Sequence, residues 1–315
     1  MYVDKHIVET RYSCPLKCTV KRYRRDTEER PGIILIFAHG TGFHKEHWEV
    51  TIQRIFALDT LSLVREAWAV DAQTHGDAAA LNAEAMEDPD FKYSVRDYAE
   101  ACANVYKTHL ASKIQQGTYK VILIGHSAGG SSAALATSFL NDVPFTALVL
   151  IEPTIWPEEL TGPEHESPIV ALATESIPLR RDRWKSREEA RKYLAKRIPW
   201  SMWDRRVLDI YVEHGLRPDA SSGGVKLKCP PRHEAYPFAN INEAVFPITE
   251  LERVKGRLAV HLVYGEREEM ISGEKKEALL RVGAISVVQE APDVLGDSIW
   301  NIIPQYGLSS KADSS

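Results

Sequence analysis

The sequence predicts an α/β protein: a mostly parallel, doubly wound sheet with a helical cap inserted after the sixth strand. Three observations carry this. Short, continuously apolar runs rich in β-branched residues recur along the chain, as strands covered on both faces do. Helical patterns lie between them, and that alternation argues for right-handed crossovers. The stretch from about Thr154 to Leu251 breaks the rhythm, being rich in Pro, Trp and charge without a parallel-strand run.

In chain order the strand candidates are Ile33–Ala38, Ala67–Val70, Val121–Ile124, Ala147–Ile151, Leu258–Tyr264 and the weaker Ala284–Val288. Between the second and third, Val95, Tyr98, Cys102, Val105, Tyr106 and Leu110 return to one helical face. In the cap stretch, Ser186 and Glu189 form a capping box ahead of a helix running to Ile198. Trp203–His214 reads as another helix, ended by Gly215, and Ser221–Pro231 as a loop by composition. The expected division is a core of residues 1–153, an all-helical cap of 154–251, and a second core part of 252–315. Such a cap would lie over the C-terminal strand ends, where open α/β sheets bind ligands.

Composition narrows the function. Lys and Arg total 39 against 44 Asp and Glu, a net charge of −5. No basic block offers a footprint for a phosphate backbone, so no nucleic-acid partner is expected. No run approaches the roughly 18 to 20 apolar residues of a membrane span. Asp4, Lys5 and Glu9 stand where a signal peptide would be apolar. Cys14, Cys18, Cys102 and Cys229 are too few for a disulfide scaffold. Cys14 and Cys18 lack a second ligand pair, so no metal is expected, and nothing points to a cofactor. The ending SSKADSS is neither a peroxisomal tripeptide nor a lipidation box. The expectation is a soluble cytoplasmic protein, with oligomeric state open and a homodimer among the options.

The fold is decided by Gly125-His126-Ser127-Ala128-Gly129-Gly130, which follows the VILI strand and opens a helix. G-x-S-x-G between strand and helix is a nucleophile elbow. Its tight turn lifts the Ser127 hydroxyl above the sheet edge at a helix N-terminus, and side chains at 125 or 129 would collide with neighbouring backbone. A second element agrees. The IILIFA strand runs into His39-Gly40-Thr41-Gly42-Phe43, a loop type that supplies one N–H of an oxyanion hole. Thr41, Gly42 or Phe43 would be that donor and Ala128 the other. In Asp71–Asp77, His75 is expected to tie the loop rather than act as a base.

On these residues the chain resembles α/β-hydrolase-fold proteins over nearly its whole length. FAHGTGFHKEHWE, DAQTHGD, GHSAGG and LVLIEP look like the fungal toxin and polyketide-pathway branch, which includes the AK-toxin biosynthesis hydrolases and the acyl-CoA hydrolase of the mycophenolic-acid pathway. The resemblance implies a Ser nucleophile, a carboxylate partner and a cytosolic or peroxisomal location; the peroxisomal relatives carry a C-terminal address absent here. It offers two acids: Glu152, directly after the ALVLI strand, as in the acyl-CoA hydrolase branch, and Glu268, where the superfamily more often has it.

The histidine breaks the pattern. None of the 11 lies beyond His261, and Asp293 falls about where the imidazole would be. A carboxylate cannot become the cation that later protonates a leaving group. His126 adjoins Ser127 but should diverge from it, His39 reads as structural, and His261 sits inside a strand. His233, in the cap, is placed to overhang the pocket. Three readings follow: a non-hydrolytic enzyme that cyclises or condenses an apolar carbonyl substrate in an oxyanion hole; an ester or thioester hydrolase with a substitute base; and a non-catalytic binding protein. The intact elbow weighs against the third.

Overall fold

The computed structural model describes residues 1–10, 15–28, 30–115, 117, 119–240, 242–265, 271–282, 285–288 and 292–307. The strands are β1 (Tyr2–Thr10), β2 (Leu16–Arg24), β3 (Gly32–Ala38), β4 (Val64–Val70), β5 (Tyr119–His126), β6 (Phe145–Ile151), β7 (Arg183–Trp184), β8 (Leu216–Asp219), β9 (Gly224–Leu227), β10 (Ala259–Tyr264) and β11 (Ile285–Val288). Eight form one sheet in the order β1-β2-β4-β3-β5-β6-β10-β11. Pairing is parallel from β4 through β11, while β1–β2 and β2–β4 are antiparallel.

The apolar runs are continuous because both sheet faces are covered. Along β3, Ile34, Ile36 and Ala38 join one core, with the helices Val95–Val105 and Ala128–Ala136. Ile33, Leu35 and Phe37 join the other, with Ile52, Ile55, Ile299 and Ile302. The sequence reading missed β1 and β2. Their outward positions carry charge, as Lys17 does between buried Leu16 and Cys18, so neither makes an apolar run.

Between β6 and β10 the chain leaves the sheet. The expected helices appear as Arg187–Leu194, capped by the Ser186 hydroxyl, and Arg205–His214, capped by the Asp204 carboxylate. The all-helical expectation needs correction. β7, β9 and β8 form a three-stranded antiparallel sheet, with Gly224–Leu227 in a stretch read as loop. Strands of two to four residues are too short to show a period. Trp184, Leu194, Trp200, Leu208 and Tyr211 close a third core here. No helix among the described residues is long and apolar enough to cross a membrane.

Candidate active site

Ser127 follows β5 directly and caps the helix Ala128–Ala136, with φ 53° and ψ −123°. Backbone hydrogen bonds hold this unfavourable conformation: Ser127 N–H donates to Ile151 O at 2.9 Å, and Ser127 O accepts from Gly130 N–H at 2.8 Å, Ser131 N–H at 3.3 Å and Thr154 N–H at 3.4 Å. The turn closes only because its glycines lack side chains. A Cβ on Gly125 would lie 2.2 Å from Gly129 O; one on Gly129 would lie 2.4 Å from Ala38 O. The latter approach brings the end of β3, and so the loop after it, against the elbow.

That loop is tied from below. His75 Nε2 accepts the Gly42 N–H at 3.0 Å, and Phe43 N–H donates to Gly40 O at 3.2 Å. Two of the three expected donors are thus engaged. Among the described residues, no acceptor is bound to the N–H of Thr41 or of Ala128, and both residues line the cavity. His39 and Gly40, which open the loop expected to form the oxyanion and substrate-binding site, do not line the cavity. The buried His39 ring donates to Gly40 O at 2.8 Å and accepts from Ala72 N–H at 3.1 Å. Burial holds its pKa down to about 4, leaving a neutral structural imidazole. Beneath it, the Lys45 ammonium binds Asp71 at 2.7 Å, Asp77 at 2.9 Å and Glu46 at 3.0 Å. The polar stretch after the loop is therefore a buried ion network that fixes its shape.

Glu152 directly follows β6, with φ 44°. Its N–H donates to Val263 O at 2.8 Å, and its carboxylate accepts the Gly265 N–H. Burial raises its pKa and the Gly265 bond opposes that rise. Glu268 lies outside the described residues. Asp293 does not take the place of the missing histidine in the cavity. It occupies the first turn of the helix Pro292–Ile302, half-exposed, where its carboxylate binds Arg206 at 2.7 Å. Arg206 also holds Asp204, so the pair ties two helix starts together. His233 is corrected too: its Nε2 faces Met86 O at 3.1 Å. His261 bonds Tyr306 at 2.7 Å.

A cavity of about 1360 Å³ opens above these strand ends. Thr41, Gly42, Phe43, His126, Ser127, Ala128 and Glu152 all line it, and among the described lining residues His126 is the one imidazole. Burial holds His126 near pKa 4, and its ring meets Phe43 edge-on at 5.6 Å. Sequence reading did not find the rest of the wall. Trp203 stacks on Phe43 at 5.0 Å, and Tyr211 packs against Trp203. Arg180 and Glu234 form a bidentate ion pair beside Gly42. Glu243 accepts the Val95 N–H at 2.6 Å, with its pKa pushed to about 7, first by burial. The density of Trp between 154 and 251 was the available signal.

The profile of the alpha/beta hydrolase family matches residues 35–291. Abhydrolase domain-containing protein ACTT2 of Alternaria alternata is 32% identical over 103 residues, 32% of this chain and 36% of that protein. The match therefore spans about a third of that relative. Peroxisomal membrane protein LPX1 of Saccharomyces cerevisiae is 24% identical over 306 residues, covering 89% of this chain and 77% of that protein. The crystal structure of the yeast protein superposes with a TM-score of 0.76 at 19% identity, over 99% of this chain and 90% of that one. E-2-(acetamidomethylene)succinate hydrolase gives 0.69 at 18%, over 96% of this chain and 100% of that one. At these identities the superpositions establish the fold.

Proposed function

Because the chain belongs to the alpha/beta hydrolase family, we propose that it is an enzyme acting on an apolar carbonyl intermediate by stabilising an oxyanion, without a serine–histidine relay. The observation that carries this reading is the lining itself. Ser127, Glu152 and two N–H donors share one cavity whose single imidazole, His126, is too weak a base to activate a hydroxyl near neutral pH.

In this reading Glu152 removes a proton α to a carbonyl, its raised pKa suiting that task. The negative charge collects on the carbonyl oxygen, held by the Thr41 and Ala128 N–H groups and the Ser127 hydroxyl. The carbon then adds to a second carbonyl of the same molecule, and the proton on Glu152 passes to the new alkoxide. The cap keeps water out. The likeness of the HGTGFHKEHW and GHSAGG stretches to polyketide- and toxin-pathway proteins supports a polyketide-type substrate. We place the protein in the cytoplasm. The name of its yeast relative makes the peroxisome the alternative, and a fluorescent fusion separates the two.

The test is exchange of the α-protons of 2-octanone in deuterated buffer, followed by proton NMR. Exchange catalysed by the wild type and lost in Glu152→Gln supports the reading. Absence of catalysed exchange alongside fast, Ser127-dependent ester turnover favours hydrolysis with a substitute base. Absence of both favours a binding protein.

A further inference from the structure

Among the described residues four cations line the cavity, and three are either paired with a carboxylate or exposed. Arg180 is bound to Glu234. Arg181 donates to Glu189 at 2.6 Å on the exposed surface. Arg197 is exposed, donates to Tyr193 O at 3.1 Å and lies over the Tyr193 ring at 3.5 Å. Lys275 differs. It is 6% exposed, lines the cavity, and has no carboxylate within ion-pair reach among the described residues. Its ammonium sits 3.9 Å from the centre of the Trp156 ring, which also lines the cavity. The Trp156 indole N–H is itself buried without an acceptor.

A buried charge without a partner is costly, and an aromatic face offsets only part of that cost. The neighbouring acids do not complete the balance. Glu274 is engaged by His165 at 3.1 Å, and Glu166 is exposed. Burial accordingly pulls the Lys275 pKa down. The site lies on the same side as Glu152. Trp156 follows Glu152 by four residues, and Lys275 sits in the helix Gly273–Leu280 after β10, whose following residue Gly265 binds Glu152.

We propose that Lys275, held over Trp156, is a subsite for a carboxylate on the substrate, at the end of an otherwise apolar cavity. The proposal rests on the reading of this cavity as the substrate site and adds the substrate class: a carbonyl compound that is also a carboxylic acid. A carboxylate suits better than a phosphate, because one ammonium balances one negative charge and, among the described residues, no guanidinium fork stands beside it.

The test is binding, measured by calorimetry at pH 7.5 with octanoate, octanamide and octyl phosphate on the intact protein. Octanoate should bind at least about tenfold tighter than octanamide. Lys275→Met should bring octanoate to the octanamide level, and Lys275→Arg should retain most of the difference. Trp156 fluorescence should change on octanoate binding in the wild type. Equal binding of octanoate and octanamide, an unchanged preference in Lys275→Met, or tighter binding of octyl phosphate would each overturn the proposal, as would no binding at all. Because no turnover is read, failure here is separate from failure of α-proton exchange: catalysed exchange without octanoate preference removes the subsite and keeps the chemistry.

Discussion

Ser127 and Glu152 stand side by side at the ends of adjacent parallel strands, each one residue beyond the paired His126 and Ile151, and both with positive φ. Such backbones cost about 1–3 kcal/mol each and survive only where the surroundings over-determine them. Here Ile151 O and Val263 O supply the restraining bonds. The same strained corners that present the hydroxyl and the carboxylate also aim both into one cavity.

Ser127→Ala should reduce turnover of the carbonyl substrate by roughly 10²-fold or more, the scale of losing one oxyanion donor. Its melting temperature should stay within about 2 °C, since alanine keeps the same backbone conformation and the Ser127 hydroxyl lines the cavity rather than the core. Steady-state kinetics and thermal melts check both halves; wild-type turnover in the variant would remove Ser127 from the mechanism.

Glu152 gives the activity a pH signature. Its folded pKa is raised by burial, and only the ionised form is a base. Turnover should therefore fall as pH is lowered through a value above the ordinary ~4.3 of a glutamate. A rate flat down to pH 4 would mean another group carries the proton.

Gly129→Ala should destabilise the fold by roughly 2–4 kcal/mol, because its Cβ would meet rigid backbone, Ala38 O at 2.4 Å and His39 O at 2.5 Å. A chemical denaturation curve measures this. A change under about 0.5 kcal/mol would mean that β3 yields at its end.

Stability should drop in mild acid. His39 and His126 are held near pKa 4, and His47 and His75 well below their usual value, all chiefly by burial. The unfolded chain takes up these protons near 6.5, the folded one only far lower. The stabilisation is thus complete above pH 6.5 and lost as pH falls toward about 4. Glu243, raised to about 7, works in the opposite sense, its burdened ionised form being relieved as pH falls. Glu152, also raised by burial, adds to that opposite sense, and four imidazoles against two carboxyls leave a net loss. Melting temperatures from pH 7.5 to 4.5 should decline; a rise would reverse the assignment.

Asp293→Asn should leave turnover unchanged and shift stability by less than about 0.5 kcal/mol, since its carboxylate meets a half-exposed Arg206 rather than the cavity. Loss of activity would return Asp293 to the site.

The sheet and the elbow were legible because their physics is local: Ile33–Phe37 shows a buried strand through unbroken apolarity, and Gly125 and Gly129 are required by contacts within a few residues of the serine. The first two strands, β1 and β2, were hidden by the charged positions on their outward faces. His75 as a loop tie could be read from its place after β4, but the occupation of the Gly42 N–H could not. Asp293 was misjudged because sequence position after the last strand does not reveal an arginine 87 residues away that captures its carboxylate. The cavity wall was illegible for the same reason. Lys275 and Trp156 meet only once the chain beyond β6 and the helix after β10 come together.

The most direct measurement is the steady-state hydrolysis of p-nitrophenyl butyrate by wild type and Ser127→Ala, with fluorophosphonate labelling in parallel. Without an imidazole to activate the hydroxyl, the expected result is turnover far below the ~1 to 10³ per second typical of enzymes, and slow labelling of Ser127. Turnover within that range, abolished by Ser127→Ala and accompanied by rapid labelling, would contradict the non-hydrolytic account.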